Sequence, residues 1–210
     1  MPSPLPDCSP PPAGSAGERT RAGEPDPIVV TGVVAQSFHL VRRFAGSIRP
    51  GPPKPADEDW AKGSLVPGER ELWARMSNPD RRHAVTVARD VVRRWPEVGD
   101  GEPPRAVVAA ALLHDVGKVE SGLRTPERVA ATLLWSVLDD SVAARWATTE
   151  SRVLGRYGRY RRHPEIGGAL LRSAGADPLT AAWAEEHHRP DSRWTVDHRV
   201  GQLLKACDDD

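Results

Sequence analysis

Residues 106–118 read AVVAAALLHDVGK: eight apolar residues in succession, then the pair His114-Asp115, then Val116, Gly117 and Lys118. An apolar run of this length opened by Pro103-Pro104 is expected to form a buried core helix, with Gly117 as its stop. The run carries an imidazole and a carboxylate side by side to the end of that buried surface. A buried carboxylate without a cation or full hydrogen bonding costs several kcal/mol, so the pair requires a partner. A metal ion is the natural one.

Outward from this stretch the punctuation is helical. Upstream, Asn78-Pro79 suits an N-cap and first position, and Ala84, Val87, Ala88, Val91 and Trp95 recur at helical spacing as far as Pro96. His83 lies on the same face, four residues before Val87. Downstream, Thr125-Pro126 opens a helix to about Leu138, and Ser141 is expected to cap another to about Arg156. His163-Pro164 opens one that closes at Gly175, and Asp177-Pro178 opens one that closes after His188. A final helix carries Val200, Leu203, Leu204 and Cys207, with Asp208 four residues beyond Leu204. No strand pattern emerges, and the fold class expected is all-α.

The remainder bounds the protein's class. Residues 1–27 hold eight prolines with Gly, Ser and scattered charges, too little apolar surface to offset ordering, and read as a disordered tail. Residues 28–59 read as an amphipathic segment, Ile28 to Phe44, helical or beginning as a strand, followed by a proline-rich linker over 46–57. The helical domain is expected over 60–210, with its core at 78–210. Twenty-nine basic and 29 acidic residues balance, which argues against bulk electrostatic binding of nucleic acid or membrane. Cys8 and Cys207 are the only cysteines, so neither a disulfide framework nor a thiolate zinc site is supported, and the expected compartment is the cytoplasm. No apolar run approaches the length of a membrane span.

Histidines and aspartates without thiolates suit Fe, Mn, Co, Ni or Zn, and a carboxylate among imidazoles can bridge two ions. The ordered set His83, His114-Asp115, His163, His187 or His188, and Asp208 resembles the HD superfamily of metal-dependent phosphohydrolases, a helical domain named for the His-Asp pair. The resemblance covers roughly residues 78–210 and rests on LLHDVGK, HPEIGGALL at 163–171, EHH at 186–188 and KACDDD at the end. It implies that His83, His114, Asp115 and Asp208 hold one metal. Asp115 would bridge to a second held by His163 and His187, with His188 either a further ligand or outside the first shell of donors. Two divalent ions are therefore the expected cofactors, and Asp115 and Lys118 the expected catalytic residues, Lys118 matching a lysine that sits near the phosphate in related enzymes. The segment after His188, RPDSRW, lacks the GYP motif of the branch that hydrolyses cyclic di-GMP.

Arg152, Arg156, Arg159, Arg161 and Arg162 precede His163 with no acid among them, and read either as a solvated helix face or as guanidinium groups for an anionic substrate, Arg159 and Arg162 foremost. The expected activity is hydrolysis of a phosphate ester or anhydride of a small nucleotide or dinucleotide by a metal-activated hydroxide. Two rivals remain on sequence grounds: a regulatory module with a structural metal, and an oxidative di-iron enzyme on the same scaffold. The sequence is silent on the oligomeric state.

Overall fold

Helix starts along this chain are set by proline and by short polar caps. In the computed structural model, which describes residues 51–135 and 138–209, the helices are α1 Pro55–Gly63, α2 Pro67–Arg75, α3 Asn78–Arg94, α4 Arg105–Leu113 and α5 Thr125–Trp135, followed by α6 Asp140–Ala147, α7 Arg152–Arg161, α8 His163–Ser173, α9 Pro178–Glu186 and α10 His198–Asp209. Short 3-10 turns occur at Trp95–Glu97, Val116–Glu120 and Asp191–Arg193. Among the described residues there is no strand, so the all-α expectation holds. The described residues fall within one compact unit, Arg42–Asp210. The expected tail over 1–27, the 28–44 segment and the start of the linker lie outside the described residues.

α4 is the axis of the molecule. Its residues Val107 to Leu113 are all buried, because a helix apolar on every face must be covered on every face. α3 and α9 pack against it, α8 packs on α9, and α10 packs on α3. Two further helices, α1 and α2, join this core ahead of the helix expected from Asn78. Their prolines, Pro55 and Pro67, sit in the first turn, where a fixed φ and a missing N–H suit a helix start as well as a linker. Trp73 of α2 is fully buried; at roughly 25 cal/mol per Å2 and on the order of 200 Å2 for an indole, it contributes about 5 kcal/mol before entropy is counted.

Three local expectations are corrected. Ser77, one residue before Asn78, caps α3, its hydroxyl accepting from the Asp80 amide. The single helix expected from Ser141 to about Arg156 is two: Asp139 caps α6, which ends at Ala147, and Ser151 caps α7. Between them Thr148 turns its hydroxyl onto the carbonyls of Ala144 and Arg145, a local bond that competes with helix continuation. Gly117 does not stop α4, which ends at Leu113; it lies inside the turn Val116–Glu120 with a negative φ. A Cβ there would collide with the His163 carbonyl and the Gly167 amide, so the glycine lets the turn press against α8. Gly175, by contrast, ends α8 as expected. It takes φ +71°, with its amide on Arg172 O and the Ala176 amide on Leu171 O.

α5, α6 and α7 form an insertion between Asp115 and His163 with a small core of its own, built from Leu123, Ala131, Trp135, Ala143 and Tyr160.

Candidate metal centre

Three of the histidines singled out by sequence sit where helices end. His114 is the C-cap of α4, His187 the C-cap of α9, and His163 follows the C-cap of α7 directly. The last carbonyls of a helix lack intrahelical partners, and each of these imidazoles uses one. Nδ1 of His114 bonds to Ala111 O at 2.9 Å, Nδ1 of His163 to Tyr160 O at 2.8 Å and Nδ1 of His187 to Ala184 O at 3.0 Å. A carbonyl can only accept, so each Nδ1 carries a proton and donates it. Each ring is thereby oriented with Nε2 pointing away from its own helix.

Those three Nε2 atoms are buried and have no hydrogen-bond partner. They converge on one carboxylate. Oδ1 of Asp115 stands 3.2 Å from His163 Nε2 and 3.8 Å from His187 Nε2, while Oδ2 stands 3.4 Å from His114 Nε2. Orphaned buried polar atoms cost about 1–3 kcal/mol each, and three around one carboxylate form a donor set lacking its acceptor. Two donors at about 2.0–2.2 Å from a shared ion lie roughly 3.0–3.5 Å apart, which is close to the spacing found here.

The two oxygens of Asp115 divide the site. His83, His114 and Asp115 form one group of close ligand atoms, and Asp115, His163, His187 and His188 form another, each within 4.8 Å. Asp208, near the end of α10, closes the first group: its Oδ1 is 3.0 Å from His83 Nε2 and 3.5 Å from His114 Nε2. His188 joins the second group despite the roughly 100° that separates successive residues on a helix. α9 has already ended at Glu186, so that spacing does not apply, and the two rings lie 4.1 Å apart. The structure thus brings together His83, His114, Asp115, His163, His187, His188 and Asp208, from five separate segments.

The electrostatics differ between the halves. Burial disfavours the charged form of His114 most strongly, yet Asp115 and Asp208 outweigh it and raise its pKa to about 9. Burial likewise opposes ionised Asp115, but Lys118 and His114 hold its carboxyl well below the usual range. Asp208 is lowered in the same way, against burial, by His114 and His83. In the second half, burial and the neighbouring histidines push His187 well down, and withdrawal of its ring from water, then His163, pushes His188 down to about 3, although His188 keeps a solvent-facing edge.

Lys118 is held by the centre itself. Its ammonium donates to Asp115 Oδ2, and against the cost of burial that contact raises its pKa above the ordinary lysine value. The arginines separate. Arg161 pairs with Asp140 and Arg156 with Glu127, both within the insertion. Arg159 donates through Nε to Glu120 O at 2.9 Å, and the side chain of half-buried Arg162, between α7 and α8, engages no hydrogen bond or ion pair among the described residues. Sequence reasoning passed over Asp80, a buried carboxylate one turn before His83 that accepts from Ser77 Oγ at 2.7 Å and Arg128 Nη1 at 2.6 Å. An acid in the first turn of a helix looks like a dipole partner, and nothing local marks its pairing with a residue 48 positions away.

A family model for the HD domain matches residues 81–209, beginning two residues before His83 and ending one after Asp208, so every member of the cluster lies inside the match. The chain belongs to the HD domain family. HD domains are typically metal-dependent phosphohydrolases, and this one carries buried His and Asp groups that can hold divalent metal. Neither curated proteins nor solved structures supplied a match. Among the described residues, no helix of this HD domain is long and apolar enough to cross a membrane.

Proposed function

We propose that this HD domain hydrolyses a phosphate ester or anhydride of a small nucleotide or dinucleotide, with two divalent ions held across Asp115. The observation that carries the reading is the set of three buried Nε2 atoms without hydrogen-bond partners around the two oxygens of Asp115. His83, His114, Asp115 and Asp208 are assigned to one ion, and Asp115, His163, His187 and His188 to the other. Bound there, divalent ions act as Lewis acids that acidify water and draw charge from phosphoryl oxygens.

The chain's own residues supply the rest. The Ala111, Tyr160 and Ala184 carbonyls hold the Nδ1 proton of three imidazoles, so Nε2 is the nitrogen that each would offer to a metal. Lys118, cationic through the neutral range, stands beside Asp115 and is assigned to the phosphate, where it offsets charge building on the non-bridging oxygens. Arg162, half-buried and with no side-chain partner among the described residues, is assigned to the substrate's anionic groups. Arg159, with Nε committed to Glu120, offers only its terminal nitrogens. The balanced net charge and the two cysteines support a cytoplasmic enzyme acting on a small phosphorylated molecule.

The test begins with metal analysis of protein purified without chelator. Nucleotide and dinucleotide panels follow, with phosphate or nucleoside release as readout in air and under nitrogen. Hydrolysis in both atmospheres, abolished by chelator, is the expected result. Turnover that requires oxygen would support an oxidative enzyme instead, and bound metal without turnover a regulatory module.

A further inference from the structure

Four consecutive backbone carbonyls, those of Glu120, Ser121, Gly122 and Leu123, each accept from a guanidinium. Arg159 Nε donates to Glu120 O at 2.9 Å, Arg156 Nε to Ser121 O at 3.2 Å and Arg156 Nη2 to Gly122 O, and Arg128 Nε to Leu123 O at 2.9 Å. The donors come from both arms of the insertion, Arg128 from α5 and the other two from α7. The acceptors form the strap that leaves the turn Val116–Glu120. Ser121 and Leu123 are buried, so their carbonyls need partners from the protein.

Two of the guanidinium groups are also neutralised locally. Arg156 meets the Glu127 carboxylate at 3.0 Å, and Arg128 meets Asp80 at 2.6 Å. Their charge is therefore spent inside the protein. What they hold is next to Lys118: the amide and hydroxyl of Ser121 both donate to Lys118 O, at 3.1 Å and 2.7 Å. On its other side, Gly117 is wedged against His163 and Gly167. The backbone of Lys118 is thus pinned from both directions, and its ammonium reaches Asp115 from a fixed origin.

We infer that Arg128, Arg156 and Arg159 are positioning residues, a clamp lent by the insertion that fixes the Lys118 backbone so that its ammonium meets the phosphate. The inference rests on the phosphohydrolase reading, because phosphate is the group assigned to Lys118. It gives α5, α6 and α7 a part in the site although no member of the metal cluster lies on them. Arg156 is the centre of the clamp, since its planar fork spans two carbonyls that a lysine, a single point donor, cannot hold together.

The experiment measures binding of inorganic phosphate by calorimetry to the full chain loaded with manganese(II). Metal content and melting temperature are recorded for every variant. Arg156→Gln and Arg156→Lys are each expected to weaken phosphate roughly tenfold, within the range seen for coupled neighbours, with metal content unchanged. In a Lys118→Met background, Arg156→Gln is expected to weaken it no further, because the clamp acts only through that lysine. Should the Arg156 variants not fold, Arg159→Gln, which removes a single carbonyl contact, is carried through the same cycle. Unchanged affinity in Arg156→Gln, wild-type affinity in Arg156→Lys, or losses that add in the double variant would each overturn the clamp alone. A wild type that neither binds phosphate nor releases it from any ester overturns the phosphohydrolase reading together with the clamp.

Discussion

Asp115 Oδ1 lies 3.2 Å from His163 Nε2, while the other oxygen of the same carboxylate takes the Lys118 ammonium and faces His114. One side chain therefore belongs to both halves of the cluster. Asp115→Asn keeps its volume but leaves a single neutral oxygen. The variant is expected to remain helical by circular dichroism yet lose most bound metal by elemental analysis and essentially all phosphate release. Wild-type activity in this variant would sink the proposed centre.

His163 serves only the second half. His163→Ala is expected to lower the metal content from near two ions per chain toward one, with the fold retained. Elemental analysis after gel filtration reads the outcome, and loss of both ions or of neither contradicts the division at Asp115.

Proton release distinguishes the halves. With its pKa raised to about 9, from an ordinary 6.5, His114 is protonated in the metal-free protein at neutral pH, and a metal must displace that proton. Affinity at the His83–His114–Asp208 side is expected to rise about tenfold per pH unit toward pH 9 and then level off. The linked contribution to metal-free stability has the opposite trend: it is fully present below about pH 6.5 and is lost as pH rises through about 9. Calorimetry in buffers of different ionisation enthalpy measures the proton count, and pH-independent binding on that side would refute the assignment.

Gly117→Ala places a methyl group against the His163 carbonyl and the Gly167 amide. Overpacking of this kind costs about 1–3 kcal/mol, and here the strain falls on a candidate ligand. The variant is expected to melt earlier and to lose the His163-side ion more readily than the other. Unchanged stability would show that the turn and α8 separate easily.

The buried Asp80–Arg128 pair joins the insertion to the helix that carries His83. Removing one partner leaves an uncompensated charge, so Asp80→Ala is expected to destabilise the chain by about 3–5 kcal/mol. Denaturant titration measures it, and a loss under about 1 kcal/mol would class the pair with weak exposed ones.

By itself the sequence determined the all-α class, most helix starts and the membership of the cluster. Those signals are local: Pro79, Pro126, Pro164 and Pro178 begin helices through their own φ, and His114-Asp115 stands out because charge is rare at the end of an apolar run. The same locality limited the reading. Pro55 and Pro67 look alike as linker or as helix start, and only the burial of Ala61, Leu72 and Trp73 decides for helix. Gly117 reads as a stop until α8 is packed against it. The arginines before His163 read as a solvated face or a substrate patch because their acceptors, the carbonyls of Glu120, Ser121 and Gly122, lie more than thirty residues away. Which oxygen of Asp115 faces which histidine, and which carboxylate pairs with Arg128, depend on how distant helices meet. Tertiary packing alone decided them, because a side chain's partner is set by distance in space and the sequence records only distance along the chain.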